Sequence, residues 1–377
     1  MDRPIIFHRV EPEVRRDAYT SFDNVDFVLT GFEGRLLDLN SVRIEGVVNT
    51  IYDGNQLLRN PDAQVYIDKW AGCHSFFETI QVQIAGQVVS NVMDYPRYVK
   101  MKATAQLNQS QMYNSENICE GRAPTDEMVR SFLHGETPAE NLNTDPAGNR
   151  KGYTAPDFSI KPRICLNQGL GKLPYSRSGD VILTVTIARK EQIYYGRGVP
   201  AGVLDFNLSD LRVAFTSSPD PGNTPPVQMA TSLTIKQSIQ SNFANISMKV
   251  PAICRGVSCS FQDANKQNTA VDNNLDLVKL PKMNSIEFLF NDSTNQLIAY
   301  KLDSNVEILN RYIESFGDTG VNSASKKNVL DNQAYGVGID FGTLADLRNQ
   351  KFSVQVDADI DNTDRVMFLY FHSFITV

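Results

Sequence analysis

Between Phe158 and Tyr195 apolar residues fall on every second position in two runs, with a polar, glycine-rich break between them. Ile160, Pro162 and Ile164 form the first run. Gly169, Gly171, Pro174 and Gly179 mark the break, and Val181, Leu183, Val185 and Ile187 resume the alternation. A period of two places one side of an extended chain against a core, so this stretch reads as strand, turn, strand. The same grammar returns near the C-terminus. Val337, Ile339 and Phe341 alternate, Gly342 to Gln350 break the pattern, and Phe352, Val354 and Val356 restore it. A chain with this pattern uses one all-β unit twice.

An earlier pair of segments supports the duplication. Ile80, Val82 and Ile84 lead through Ala85-Gly86 to Val88, and Asp94-Tyr95-Pro96 opens a helical stretch. Ile286, Phe288 and Phe290 lead through Asn291-Asp292 to Leu297, and Ser304 to Glu307 opens another. Asp94 is placed to cap the first helix, with Pro96 tolerated in its first turn, and Ser304 with Glu307 spells a capping box. Tyr95, Val99 and Ala103 share one face, as do Val306, Leu309, Ile313 and Phe316, so each helix can lie on a sheet. The anchors Ile80 and Ile286 are more widely spaced than Ile160 and Ile339, which gives the first copy the longer insertion.

A chain of 377 residues exceeds the size at which one core usually stops growing and suits two domains. Its 41% hydrophobic and 21% charged content is that of a globular protein. A net charge of −7 excludes a surface that neutralises phosphates throughout, so no sequence-specific nucleic-acid binding is expected. Cys73, Cys119, Cys165, Cys254 and Cys259 are odd in number and widely spread, the pattern of reduced thiols from cytosolic synthesis. Met1 to Val10 holds too short an apolar run for a signal peptide, and no run reaches membrane-spanning length.

Taken in order, residues 1–23 form an N-terminal arm, 24–200 a first unit and 201–377 a second. The arm carries Arg3, Arg9, Arg15 and Arg16 beside Ile5, Ile6 and Phe7, a composition that reads equally as a loosely held terminus or as an arm that docks onto a neighbour or a lipid surface. Residues 107–157 lose the β pattern, and only Asp126 to Leu133 reads as a short helix. Gly196 to Gly202 reads as the joint, with Leu204, Phe206 and Leu208 opening the second unit. Strands this short, with turn residues every ten or so positions, indicate sandwiches, and one helix at matching places gives an eight-stranded jelly roll twice over.

An Ile80-Gln81-Val82-Gln83-Ile84-Ala85-Gly86 hairpin running into Asp94-Tyr95-Pro96-Arg97-Tyr98, with Leu173-Pro174-Tyr175-Ser176-Arg177-Ser178-Gly179 later, resembles double jelly-roll major capsid proteins of tailless icosahedral viruses. The resemblance covers about Asp26 to Val377, and the length fits the smaller members, which resemble the capsid proteins of lipid-containing phages more than the large towered hexon. It implies self-association into homotrimers of pseudo-hexameric outline that tile an icosahedral virion shell. It further implies penton and minor capsid proteins as partners, with an internal membrane as a possible contact of the arm. Residues 107–157 would then be a tower or an inter-capsomer loop. A carbohydrate-binding, lectin-like sandwich is the alternative reading.

The chain offers little catalytic chemistry. His8, His74, His134 and His372 lack partners at zinc spacing, no nucleophile has a legible base, and no cofactor is expected. Gly169-Leu170-Gly171-Lys172 lacks the remainder of a phosphate loop. Asp357, Asp359 and Asp361 fall on one strand face before Asp364 and begin like a calcium loop. Asn362 stands where glycine is needed and Phe368 where glutamate is, so they are weak metal candidates, otherwise a solvated face ending in a hairpin turn.

Overall fold

The computed structural model describes residues 5–57, 62–107, 111–135, 155–167, 171–196, 203–266, 272–275, 282–291, 296–317, 335–361 and 363–377. The earlier strands are β1 Ile6–Val10, β2 Asn24–Leu29, β3 Arg35–Asp38, β4 Arg43–Tyr52, β5 Asn55–Gln56, β6 Val65–Ile67, β7 Phe77–Ile84, β8 Gln87–Met93, β9 Asp157–Ile160, β10 Lys172–Pro174, β11 Val181–Ile187, β12 Tyr194–Gly196 and β13 Leu204–Pro219. The later ones are β14 Gln228–Ile239, β15 Phe243–Lys249, β16 Ile253–Asp263, β17 Met283–Asn291, β18 Leu297–Leu302, β19 Val337–Asp346, β20 Lys351–Ala358 and β21 Arg365–Thr376. Helices are α1 Tyr95–Gln106, α2 Ser115–Cys119, α3 Asp126–Leu133, α4 Tyr175–Ser178, α5 Lys190–Ile193 and α6 Asn305–Ser315.

Pairing sorts these strands into two sandwiches. In the later one β14 to β21 are the first to eighth strands in turn. They form sheets in the order β14-β21-β16-β19 and β15-β20-β17-β18, joined by the ring contacts Phe352–Phe371 at 5.0 Å and Phe290–Phe341 at 4.3 Å. In the earlier one the same roles fall to β1, β2, β4, β7, β8, β9, β11 and β13. One sheet runs β1-β13-β4-β9 and the other β8-β7-β11-β2. In both, the first strand pairs with the eighth and the second with the seventh, as a jelly roll requires. The short β3, β5 and β10 extend the first sheet, and β6 pairs with β12 separately.

Local chemistry explains the shared pieces. The β7–β8 hairpin turns at Ala85 and Gly86, both left-handed at φ 50° and 75°, the conformation of a tight hairpin turn. β11 buries every second residue from Val181 to Ile187. A helix then follows the fifth strand in each sandwich, α1 after β8 and α6 after β18. Ser304 caps α6 as expected, its Oγ accepting from Glu307 N at 3.2 Å.

Several expectations are corrected. Asp94 does not cap α1: it sits at φ 49°, and its carboxylate instead meets Lys236 at 2.6 Å. α6 buries Ile308, Leu309, Tyr312 and Ser315, while Val306 is exposed, because Tyr312 turns toward α1 to bond Met101 O at 2.7 Å and Thr104 Oγ1 at 2.9 Å. Pro162 and Ile164 lie beyond the end of β9, and the break after them contains β10 and α4. β19 continues through Gly342, at φ 71°, to Asp346.

Two corrections change the organisation. Leu204–Pro219, expected to open the second unit, pairs with β1, β3 and β4 of the first. Ile6–Val10, expected in a separate arm, is the first strand of that sandwich, with Val10 opposite Val213. Within 107–157, the expected helix forms as α3. Residues 111–135 also pack onto their own chain, with Met112, Val129 and Leu133 buried, and 108–110 and 136–154 lie outside the described residues, as does Arg3.

Candidate assembly interface

The two sandwiches meet edge to edge. β8, the fifth strand of the first, lies parallel to β14, the first strand of the second, with Asn91 opposite Leu233. The contact fuses two four-stranded sheets into one of eight, in the order β19-β16-β21-β14-β8-β7-β11-β2. Side chains supply most of the seam: Thr231 Oγ1 donates to Ser90 Oγ at 2.8 Å, Thr234 Oγ1 donates to Met93 O at 3.1 Å, and Lys236 meets Asp94. Beside it lies a cleft lined by Glu78, Asp94, Arg97, Arg189, Lys236 and Phe368. Burial, with Asp94 adding repulsion, raises the pKa of Glu78 there. The Arg97 guanidinium lies 4.3 Å over the Phe368 ring and bonds Gln262 Oε1 and Asn274 O, so a buried cation crosses from one sandwich to the other.

A second buried polar group holds the 111–135 segment. Glu120, wholly buried, forms an ion pair with Arg122 Nη1 at 3.1 Å and accepts from Arg163 Nη2 at 3.1 Å and Lys161 N at 3.0 Å, and His74 Nε2 stands 3.4 Å away. The Tyr95 hydroxyl accepts from Arg163 N at 3.0 Å and bonds His74 Nδ1 at 2.8 Å. Burial alone would raise the Glu120 pKa, but Arg122, His74 and Arg163 together hold it well below the ordinary carboxylate range. Burial drives His74 down to about 4, against the opposing pull of Glu120. Asp68 and Lys100, buried at 2.6 Å, make a neighbouring pair. None of this network was legible in the sequence, because its members are scattered from Asp68 to Arg163 without a repeating spacing.

Close backbone approach completes the docking. Gly121 has φ 69°, and a Cβ built there would meet Cys73 Sγ at 2.6 Å and Phe132 Cε1 at 3.1 Å. Gly121→Ala is therefore expected to destabilise the chain by about 2–4 kcal/mol, from the left-handed backbone and the overlap together. It should also expose Gln111–Gly135 to protease. Urea unfolding with timed digestion checks this, and unchanged values would show that the segment is not held at Gly121.

The sequence-predicted sites fare differently. Asp359 and Asp361 flank one ammonium, Lys282 Nζ, at 3.2 and 2.8 Å, while Asp357, at the end of β20, bonds Asn284 Nδ2 at 3.1 Å. Only Asp357 lies on the strand: β20 ends at Ala358, and the following residues lead from one sheet to the other instead of forming a hairpin turn. Ile5, Ile6 and Phe7 are exposed, Phe7 at 83%, whereas Arg15 pairs with Glu11 at 2.7 Å and Arg16 with Asp23 at 2.7 Å. His372 Nε2 lies 2.7 Å from Ser258 Oγ, a pair that sequence reasoning missed. Ser258 is fully buried and also bonds Ser315 Oγ at 2.7 Å, so the geometry ties β16 and β21 to α6 and presents no accessible nucleophile. All five cysteines are free thiols, with only Cys119 exposed. Among the described residues no helix is long and apolar enough to cross a membrane.

No family model and no curated protein matches this chain. Solved structures match along its whole length. The PBCV-1 virus capsid aligns at TM-score 0.59 and 9% identity, covering 100% of this chain and 94% of that one. The Faustovirus major capsid protein aligns at TM-score 0.56 and 8% identity, covering 100% and 91%. The Sputnik virophage structure gives 0.54 and 11%, covering 100% and 86%. The fold is thus the double jelly roll of viral major capsid proteins, at identities where architecture alone is shared.

Proposed function

We propose that this chain is a major capsid protein, built as a homotrimer of pseudo-hexameric outline that tiles an icosahedral virion shell. The strand pairing supports a division into two sandwiches between Pro219 and Gln228, downstream of the boundary expected from sequence. The observation that carries the reading is the seam between β8 and β14. One chain contains two like blocks already joined edge to edge, so three chains around an axis present six like blocks and can pack hexagonally. A shell protein needs extensive lateral contact, and in this reading Ser258, fully buried beside half-buried His372, and Asp359 and Asp361, paired with Lys282, serve the structure of the chain. The lectin alternative lacks support from those same aspartates.

Penton and minor capsid proteins would be further partners in this reading. Phe7 and Arg9, exposed on β1, are the arm residues best placed to touch a neighbour or an underlying membrane. Sedimentation at micromolar concentration tests the trimer. The expected particle has the mass of three 42.1 kDa chains, with about 2,000 Å² or more buried at each contact. A stable single chain would overturn the reading.

A further inference from the structure

We infer that the free edges of β18 and β1 pair between copies of this chain, repeating in trans the β8–β14 seam formed within it. This deepens the trimer reading and rests on it.

The argument is one of equivalent strands. Within the chain, the fifth strand of one sandwich lies beside the first strand of the other. Their counterparts are β18, the fifth strand of the second sandwich, and β1, the first strand of the first. Among the described residues β18 pairs only with β17, and β1 only with β13. Joining β18 of one copy to β1 of the next would give an eight-stranded sheet β15-β20-β17-β18-β1-β13-β4-β9. Its order of strand roles is identical to that of the sheet the chain builds by itself. Both edges leave apolar side chains in solvent beside the single cations Lys301 and Arg9, with Leu297 68% exposed on one and Ile6 40% exposed on the other, surface that a partner strand would cover.

The register can be transferred as well. Leu233 leads through Phe371 and Val257 to Ile339 by successive pairing. Val10 leads in the same way through Val213 and Ile44 to Ile160, so Val10 corresponds to Leu233, and both are partly buried. Gln81 opposite Asn91 corresponds to Glu287 opposite Lys301, so Lys301 corresponds to Asn91. The Asn91–Leu233 contact therefore maps onto Lys301 of one copy against Val10 of the next. The contact is head to tail, and it closes into a ring when three copies complete the turn.

Cysteine cross-linking tests this, since opposed strand residues lie within disulfide reach. Cys119→Ser removes the exposed native thiol, and Val10→Cys with Lys301→Cys is added to it. Wild-type melting and a reduced trimer in sedimentation show that the variant folds and assembles. Oxidation is then expected to convert most of the chain to covalent trimer, while an equal mixture of the two single-cysteine chains stops at dimer. A trimer that sediments normally but forms no bond between positions 10 and 301 overturns the edge pairing and leaves the trimer reading standing. A wild-type chain that sediments as a monomer overturns both.

Discussion

Glu120→Ala is expected to destabilise the folded chain by about 3–5 kcal/mol, the usual loss when one partner is removed from a buried ion network. The carboxylate has no exposure and meets Arg122, Arg163 and the Lys161 amide directly. Its removal leaves Arg122, 2% exposed, without its opposite charge in a medium that solvates it poorly. For a chain of this size the thermal midpoint should fall by roughly 4–6 °C. Glu120→Gln keeps the shape and part of the hydrogen bonding, so its loss should be smaller, which separates charge from packing. Because Cys73 N also donates to Glu120 O at 2.8 Å, the main chain keeps one tie to the core in either variant. Calorimetry of both variants, with proteolysis of Gln111–Gly135, gives the readout. A midpoint for Glu120→Ala within a degree of wild type would show that this network does not hold the segment.

That network also marks where sequence reading stops. The duplicated sandwich was legible because alternation along β7, β11, β17 and β20 is a local signal, and because Ala85-Gly86 supplies the hairpin conformation directly. The α3 helix was legible for the same reason, with Thr125 Oγ1 accepting from Met128 N as a cap. β13 was assigned to the wrong sandwich because its partners β3 and β4 lie far back in the chain, whereas the nearest visible punctuation, Gly196 to Gly202, suggested a joint. β1 was missed because Ile5-Ile6-Phe7 is a continuous apolar run, and its alternation emerges only through pairing with β13. The expected α1 face, Tyr95, Val99 and Ala103, is buried, whereas the α6 face shifted because that helix packs against α1 as well as against sheets, and Tyr312 obeys that contact before the amphipathic pattern. Of the proposed interface, the free edges follow from strand order. Their complementarity required the β8–β14 seam, a tertiary contact with no local signature.

Stability is expected to fall as the pH drops below about 6.5, chiefly through two histidines that the fold keeps neutral. Burial lowers His74 to about 4. It lowers His372 to about 3, with Lys102 and Arg255 adding repulsion. An unfolded histidine titrates near 6.5, so between that value and the lowered ones the unfolded chain binds more protons and acid favours unfolding. Their contribution is fully present above about pH 6.5 and is lost toward the folded values. Two protons set an upper limit of about 2.7 kcal/mol per pH unit in this window. Glu120 acts lower: its folded pKa is depressed, so its contribution is present above about 4.5, the unfolded value, and disappears as pH falls further. Urea midpoints between pH 7 and 4 measure the combined slope. His372→Gln, which can still bond Ser258, should remove one proton's share, while a chain equally stable at pH 7 and 5, or a variant with the full wild-type slope, would rule out half-buried His372 as a group the fold keeps neutral.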